Sequence, residues 1–208
     1  MEEVIETDVL IIGAGGAGIF AAIRAQEDGA DVLVINSGAL GRDGASTWMA
    51  GSGLSCALYP PDSFEVHARD TIINGRYLNN QELVYAVAHE AQKWVVDLDR
   101  WGTGFLKRNG KFVQWRMPGH SYARTLTPET NEEWGYAYRR VLPKQLRDGK
   151  IKIVEDCVVT DLLTTNGEVA GVVGIDMRAG EFKVFSAKCI ILATGGHPAC
   201  YKHYCSSP

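Results

Sequence analysis

A glycine-rich segment near the start of the chain has the spacing of a dinucleotide-binding loop. Residues 13–18 read Gly-Ala-Gly-Gly-Ala-Gly and match G-x-G-x-x-G. In such a loop the first glycine allows a tight turn, the second lets the backbone approach a pyrophosphate, and the third lets a helix pack closely on a strand. The helix that follows offers N–H groups and the positive end of its dipole to the phosphates. The predicted cofactor-binding residues of this loop are therefore Gly13, Ala14, Gly15, Gly16 and Gly18.

The segments on either side of this loop are predicted to form a strand–helix–strand unit. Residues from Thr7 to Ile12 read as a buried strand, and residues from Ile19 to Asp28 read as a helix that Gly29 ends. A second strand runs from Asp31 to Ile35. Units of this kind form parallel sheets with right-handed crossovers, which is the context in which a G-x-G-x-x-G loop binds a dinucleotide.

The end of the second strand is expected to hold the adenosine ribose of such a ligand. An acidic residue there takes both ribose hydroxyls, whereas this chain has Asn36 followed by Ser37. An asparagine still donates and accepts hydrogen bonds, without the charge-assisted strength of a carboxylate. Both residues are predicted to contact the ribose, and a strand-end turn that binds nothing is the alternative. The unit by itself does not choose between NAD and FAD.

The remainder of the chain alternates predicted helices and strands around two Asn-Gly turns. The helices are expected at Ser63–Asn74, Asn80–Arg100 and Tyr136–Leu146, the strands at Ile151–Val154, Val158–Thr164, Val169–Asp176, Glu181–Ser186 and Cys189–Ala193, and the turns at Asn109-Gly110 and Asn166-Gly167. One face of the second helix is suited to packing against the sheet domain and carries Leu83, Val87, Ala91, Trp94, Val95 and Leu98. The predicted fold is α/β and Rossmann-like, a parallel sheet with crossover helices plus a β-meander. Within it we expect the βαβ unit at residues 1–58, a helical insertion at 59–130 and the meander at 131–208.

Composition and charge exclude several kinds of partner. The 208 residues carry a formal net charge of -4 without a basic stretch, which argues against direct binding of nucleic acid or of an anionic membrane. The apolar run from Val9 to Ile12 is far too short to span a bilayer, and the acidic residues before it are unlike a secretion signal. We therefore expect a cytoplasmic protein. The 5 cysteines form no CxxC pair, so we expect reduced thiols and no metal site.

Three further segments resemble a known family of flavoproteins. Residues Gly44–Gly53 read GASTWMAGSG, residues Gly119–Thr125 read GHSYART, and residues Ile191–Gly196 read ILATGG. Together with the glycine-rich loop they resemble the flavoprotein subunit family of succinate dehydrogenase and fumarate reductase, which also includes L-aspartate oxidase and adenylylsulfate reductase. The resemblance spans nearly the whole chain and implies FAD as the cofactor.

The resemblance also implies which residues line the cofactor. The expected contacts are Ser46, Thr47, Ala50, Gly51, Ser52 and Gly53 in the first segment, Ala193, Thr194 and Gly195 in the last, and Val158. Some members attach FAD covalently through a histidine at the position of Ser46, and a hydroxyl cannot replace an imidazole in that bond, so non-covalent FAD is implied. His120 and Arg124 have two possible roles: they could stand near the flavin, or they could make buried structural hydrogen bonds.

Members of that family carry further segments after the A-T-G-G strand end. These are a T-G-D-G motif, a capping domain that holds the dicarboxylate, and an arginine that delivers the proton. None of them has a counterpart before Pro208. We therefore expect the capping domain and the catalytic residues beyond the end of this chain, and an exposed apolar surface where those parts pack.

The leading hypothesis is the FAD-binding portion of a succinate/fumarate-type oxidoreductase. The complete protein would move a hydride between the flavin and a small carboxylate. It would pass electrons to a partner, either an iron–sulfur subunit or a second half-chain, at the cytoplasmic face of the membrane. The alternatives are a non-catalytic flavin-binding fragment or subunit that needs a second chain, a flavoprotein like adenylylsulfate reductase or L-aspartate oxidase, and an NAD-dependent dehydrogenase.

Overall fold

The computed structural model describes residues 4–41, 53–129, 134–196 and 200–203. The chain divides into two compact units, which we call the sheet unit (Met1–Met49 and Tyr138–Pro208) and the helical unit (Ala50–Ala137). The predicted helical insertion, residues 59–130, falls within the helical unit. In chain order, the elements of the described residues are β1 (Ile5–Ile12), α1 (Gly16–Glu27), β2 (Val32–Ile35), β3 (Leu54–Ser55), α2 (Phe64–Asn74), α3 (Gln81–Arg100), β4 (Lys107–Arg108), β5 (Lys111–Phe112), β6 (Gln114–Trp115), β7 (Thr125–Leu126), α4 (Trp134–Asp148), β8 (Lys152–Val154), β9 (Cys157–Thr165), β10 (Glu168–Asp176) and β11 (Glu181–Leu192).

The sheet unit is built on a 6-stranded sheet with the order β8-β2-β1-β11-β10-β9. β1 pairs in parallel with β2 on one side and with β11 on the other, and β2 pairs in parallel with β8. α1 connects β1 to β2 as the predicted crossover helix. The register places Ile12 opposite both Ile35 and Leu192, so three strands end at the same edge of the sheet. The glycine-rich loop, Asn36 and Ala193 follow these strand ends and are therefore brought together.

Aliphatic and aromatic side chains from the parallel strands and the meander form the core beneath this edge. Leu10, Leu33 and Ile35 are buried in one cluster with Val172 and Phe185. Burying a side chain of this size stabilises a fold by about 1.5–3 kcal/mol. The cluster therefore fixes the positions of β1, β2 and β11, and with them the strand ends that carry the predicted site.

The structure corrects the prediction that the last part of the sheet contains two separate strands. Residues Glu181–Leu192 form one continuous strand, β11. Its residues from Glu181 to Ser186 pair antiparallel with β10 and those from Phe185 to Leu192 pair in parallel with β1, so one strand joins the meander to the parallel part of the sheet. The prediction that the end of this strand is buried is wrong, since Leu192 is 63% exposed.

Both predicted Asn-Gly turns are confirmed. Asn109 and Gly110 have φ angles of 50° and 73°, and Asn166 and Gly167 have φ angles of 52° and 84°. Positive φ at both central residues is the conformation of a type I′ turn, which matches the twist of the strands that it joins. The first turn joins β4 to β5, and the second joins β9 to β10 in the meander.

The two predicted helices of the helical unit are confirmed, but the buried face of α3 differs from the prediction. The side chain of Asn80 caps the start of α3 by accepting from the Leu83 N–H at 3.1 Å. The predicted face holds for Ala91, Val95 and Leu98, which are buried, and fails for Leu83 and Val87, which are 61% and 60% exposed. On the N-terminal side of Ala91 the buried residue is Ala88 and not Val87. Ala88, Ala91, Val95 and Leu98 follow one another at intervals of three or four residues, which places them on one face of the helix. Across the described residues, no helix is long and apolar enough to cross a membrane.

Candidate functional site

The first glycine of the loop is required by the way the strand ends meet. Gly13 has a φ of 105°, a conformation that residues with a Cβ atom rarely adopt. Its N–H donates to the carbonyl oxygen of Ile35 at 2.8 Å, which ties the loop to the end of β2. A Cβ atom at this position would lie 2.4 Å from the carbonyl oxygen of Ala193. The predicted tight turn at Gly13 is therefore confirmed.

The third glycine allows α1 to lie directly against the loop and the end of β11. α1 begins at Gly16, earlier than the predicted start at Ile19, because the small residues of the loop already form its first turn. A Cβ atom at Gly18 would lie 1.9 Å from the carbonyl oxygen of Gly13 and 3.3 Å from the Cβ of Ala193. The predicted close packing at Gly18 is confirmed, and a methyl group there cannot be accommodated without moving the helix.

The middle glycine differs from the other two, because no contact within the described residues requires it. Gly15 is the N-cap of α1 and has a φ of -75°, which any residue adopts. Among the described residues, no atom lies within 4 Å of the place where a Cβ atom at Gly15 would stand. The first intrahelical hydrogen bond runs from the Ile19 N–H to the Gly15 carbonyl at 3.0 Å. The N–H groups of the first turn therefore have no acceptor within the helix, and a helix N-terminus of this kind is suited to a phosphate.

Asn36 joins the loop to the turn that follows β2. Its Oδ1 atom accepts from the Ala14 N–H at 3.0 Å, and its Nδ2 atom donates to the Gly38 carbonyl at 2.9 Å. The side chain is buried at the predicted place, beside the glycine-rich loop. The backbone of Asn36 is also engaged, since its N–H donates to Val154 and its carbonyl accepts from Cys157. The predicted ribose contact of this residue stays a prediction.

Two other predicted contacts lie close to Asn36 in the sheet unit. Ser37 follows it and is exposed. Val158 follows Cys157, whose N–H donates to the Asn36 carbonyl at 3.0 Å, so the start of β9 lies beside the end of β2. Val158 itself is 36% exposed. The fold thus brings both residues to the edge that carries the loop, and their contact with a cofactor stays a prediction.

The A-T-G-G segment continues β11 past the edge of the sheet. The Ala193 N–H donates to the carbonyl oxygen of Ile12 at 2.8 Å, which holds the segment next to the glycine-rich loop. Thr194 and Gly195 follow at this edge, and Gly195, which is exposed, has a φ of 76°. The structure therefore places these residues beside the loop, in agreement with the predicted position of the A-T-G-G strand end.

The helical unit contains a buried ion-pair cluster centred on Arg124 of the GHSYART segment. The Arg124 guanidinium donates two hydrogen bonds to Asp62, from Nε to Oδ2 and from Nη2 to Oδ1, both at 2.9 Å. Its Nη2 atom also lies 2.9 Å from Oδ2 of Asp70, which accepts from the N–H and hydroxyl of Ser121 at 2.8 Å each. Arg124 is fully buried, so the structural role considered for it from the sequence is the one that the geometry supports. No sequence pattern pointed to Asp62 as its partner.

The electrostatics of this cluster favour ionised carboxylates and neutral imidazoles. Burial alone acts to raise the pKa of Asp70, but the hydrogen bonds from Ser121 and the ion pair with Arg124 outweigh it, so the pKa of that carboxyl is lowered. Burial lowers the pKa of His67 and of His120, and the nearby Arg124 cation lowers the pKa of both further. The neutral form of both histidines is therefore favoured more than in a free imidazole.

Comparison with known proteins decides which cofactor the loop serves. Residues 8–208 match a family model described as FAD binding domain. The chain belongs to this family of FAD-binding domains. It is 33% identical over 193 residues to an uncharacterized FAD-dependent oxidoreductase of Methanocaldococcus jannaschii, in a match that covers 92% of this chain and 35% of the relative. It is 32% identical over 198 residues to one of the subunits of the fumarate reductase (CoM/CoB) of Methanothermobacter marburgensis, with 93% of this chain and 36% of that protein covered.

The fold of this FAD-binding domain is shared with solved flavoproteins. The Mycobacterium smegmatis Sdh1 complex in its apo form contains a chain that matches with a TM-score of 0.89 and 32% sequence identity, over 99% of this chain and 37% of that chain. The predicted α/β, Rossmann-like fold and the predicted cofactor, FAD, are confirmed. The FAD-binding domain spans about a third of the length of the relatives that it matches.

The residues of the sheet unit fit a bound FAD. The diphosphate of FAD needs N–H donors and a backbone that it can approach closely. Gly15 leaves open space at the first turn of α1, whereas Gly13 and Gly18 are needed for the protein's own packing. The one glycine of the motif that packing does not explain is therefore the one that a diphosphate would require.

Most of the predicted flavin loop cannot be compared with the structure. Ser46, Thr47, Ala50, Gly51 and Ser52 lie outside the described residues, and their roles stay predictions. The remaining residue of that loop, Gly53, belongs to the helical unit and has a φ of 125°, where a Cβ atom would lie 2.1 Å from the carbonyl oxygen of Leu126. The pairing of β3 with β7 therefore requires a glycine at position 53 whether or not it touches a cofactor.

Proposed function

We propose that this FAD-binding domain is the flavin-holding part of a succinate/fumarate-type oxidoreductase. The open first turn of α1 at Gly15 is the observation that supports it, because the rest of the motif already serves packing. Relatives of the domain include a fumarate reductase subunit and an Sdh1 chain. Bound FAD supplies hydride transfer at its flavin ring. The residues of this chain bind and orient it, with the N–H groups of α1 on the diphosphate and Ala193, Thr194 and Gly195 next to them.

The complete protein would act on a small carboxylate and pass electrons to a partner. The partner would be an iron–sulfur subunit or a second half-chain, and the assembly would lie at the cytoplasmic face of a membrane. Exposed apolar side chains on the outer part of the meander support a covering polypeptide, since Leu162, Val169 and Phe182 are all on the surface of this domain. The names of several relatives are those of subunits, which supports an assembly of more than one chain.

Flavin binding by the 208-residue chain is the first test. The purified chain is mixed with FAD, freed of excess ligand and examined by its visible absorbance spectrum. We expect bound flavin, and we expect acid precipitation to release it into the supernatant, because Ser46 cannot form the covalent bond that histidine forms. A chain that retains no flavin would contradict the proposal, and flavin that stays in the acid pellet would contradict non-covalent binding.

The substrate class is tested with the longest open reading frame that contains this chain. Bleaching of the flavin by succinate, or reoxidation of the reduced flavin by fumarate, is the expected result. Bleaching by L-aspartate instead would support an L-aspartate oxidase-like enzyme, and bleaching by AMP with sulfite would support one like adenylylsulfate reductase. A flavin that responds only to NADH would contradict all three forms of the proposal.

A second candidate function is a flavin-binding subunit that turns over only with another chain. The exposed apolar residues of the meander favour it as well, because they supply a surface for such a chain. This hypothesis predicts that the 208-residue chain binds FAD without oxidising or reducing any carboxylate. Turnover by that chain alone would refute it.

A further inference from the structure

Asn36 is bonded in a way that an acidic residue at the same position could not reproduce. Its Oδ1 atom faces a donor, the Ala14 N–H, and its Nδ2 atom faces an acceptor, the Gly38 carbonyl, at 3.0 Å and 2.9 Å. Only a carboxamide offers an acceptor and a donor on one planar group of this length. A carboxylate would keep the bond to Ala14 and set a charged oxygen against the Gly38 carbonyl in a buried place.

The backbone of Asn36 completes a junction of three segments. Its N–H donates to Val154 at the end of β8, and its carbonyl accepts from Cys157 at the start of β9, at 2.9 Å and 3.0 Å. The side chain adds the glycine-rich loop and the turn after β2 to this junction. Movement of the Asn36 side chain toward a ribose would therefore break bonds that hold the loop in place.

The bond to Ala14 also decides which N–H groups remain for the cofactor. The Gly13 N–H donates to Ile35 and the Ala14 N–H donates to Asn36, so both are used within the protein. The N–H groups of Gly15 and Gly16 belong to the start of α1, where a Cβ atom at Gly15 would meet no atom of the described residues within 4 Å. Asn36 thus separates the structural half of the loop from the half that faces the ligand.

We propose that Asn36 is a positioning residue for the diphosphate loop and not the residue that binds the adenosine ribose. It acts by fixing Ala14, so that the N–H groups from Gly15 onward are held ready for the diphosphate before FAD arrives. The inference rests on FAD binding by this domain. It explains why an amide stands at the end of β2, where a carboxylate would suit a ribose better.

A cycle of ligand and residue changes tests this proposal. Binding of ADP and of 2′,3′-dideoxy-ADP to the 208-residue chain is measured by calorimetry for the parent, for Asn36→Asp and for Asn36→Ala. If Asn36 positions the loop, both variants weaken ADP binding about tenfold, and removal of the ribose hydroxyls costs the same factor in all three proteins. The control is Asn166→Asp, the same chemical change at an exposed turn, which leaves ADP binding unchanged.

The opposite results overturn the proposal. If Asn36 binds the ribose, Asn36→Asp retains or improves ADP binding, and the cost of removing the hydroxyls falls to near zero in Asn36→Ala. A parent chain that binds neither ADP nor FAD would count against the FAD site itself, which separates that failure from failure of the inference.

A second measurement does not depend on a folded variant. Hydrogen exchange of the Ala14 amide is followed by NMR in the ligand-free parent chain. The bond to Oδ1 of Asn36 predicts slow exchange before any ligand is added, whereas the neighbouring Gly16 amide in the open first turn exchanges fast. Fast exchange at Ala14 in the ligand-free protein would show that the loop is not held in advance, and the proposal would fail.

Discussion

Replacing Gly15 with alanine should separate the cofactor site from the fold. The added methyl group meets no atom within 4 Å in the part of the chain that the structure describes, and the φ of -75° is one that alanine adopts without strain. The ligand-free protein should therefore keep its stability to within about 1 kcal/mol, since the gain from a less flexible unfolded chain is offset by the weaker N-cap preference of alanine. The same methyl group occupies the space that a diphosphate needs.

The expected loss of FAD affinity follows from the N–H donors at the start of α1. A phosphate oxygen bonds to an N–H at a heavy-atom distance of about 2.9 Å, and the methyl group keeps the diphosphate from reaching that distance at Gly15 and Gly16. Each hydrogen bond to a charged group is worth about 1.5–3 kcal/mol. Losing two of them weakens binding by about 3–6 kcal/mol, or by a factor of about 10² to 10⁴.

The assay pairs a binding measurement with a stability measurement on the same samples. FAD affinity is taken from the quenching of flavin fluorescence, and stability from thermal unfolding of the ligand-free chain. Gly18→Ala is the matched comparison, because its methyl group would lie 1.9 Å from the Gly13 carbonyl oxygen. Such overpacking costs about 1–3 kcal/mol, so this variant should lose both stability and FAD binding.

Two results would refute the reasoning about Gly15. Undiminished FAD affinity in a folded Gly15→Ala protein would show that the diphosphate does not approach the backbone at this residue. A large drop in the melting temperature of the ligand-free variant would show that the open space beside Gly15 does not exist in solution. Either outcome would remove the main support for the assignment of the cofactor site.

Three other predictions concern the helical unit. Arg124→Met should lower the free energy of unfolding in urea by about 3–5 kcal/mol, because it leaves buried carboxylates uncompensated. Exposed ion pairs contribute only about 0–1 kcal/mol, so a loss in that range would contradict the buried ion pair. Because the pKa values of His67 and His120 are lowered in the folded protein, the free energy of unfolding should be highest above about pH 6.5 and should decrease as the pH falls below it. The lowered pKa of Asp70 predicts a further decrease below about pH 4. Urea melts across this range check the sign, and replacing both histidines with glutamine should remove the first step. Burial raises the pKa of the Cys56 thiol to about 12, so native protein should resist alkylation there at pH 8 while urea-unfolded protein reacts, as mass spectrometry would show.

The elements around the cofactor loop could be predicted because their signals are local. The strand before Gly13, the helix after it and the second strand each follow from hydrophobic periodicity and from glycine positions. Type I′ turns were predictable for the same reason, since Asn109-Gly110 and Asn166-Gly167 accept positive φ at both residues. The glycine spacing also predicted the packing roles of Gly13 and Gly18, which the structure confirms.

The features that the sequence did not reveal depend on contacts between distant residues. The partner of Arg124 is Asp62, and no periodic pattern connects the two positions. The double hydrogen bonding of Asn36 depends on the path of the backbone at Ala14 and Gly38, which only the folded chain defines. The helical spacing of apolar residues predicted a packed face that includes Leu83, which the structure shows to be 61% exposed, because a helix face buries only the residues that meet a neighbour.

The glycine-rich loop and the A-T-G-G segment act as one packing unit, although they lie at opposite ends of the chain. The carbonyl oxygen and the Cβ of Ala193 are among the atoms that a side chain at Gly13 or Gly18 would meet. The Ala193 N–H in turn donates to Ile12, directly before the loop. A side chain larger than alanine at position 193 would therefore press on α1, and we expect it to weaken FAD binding by displacing the N–H groups proposed to bind the diphosphate. The small residue in that segment is explained by the loop that it supports.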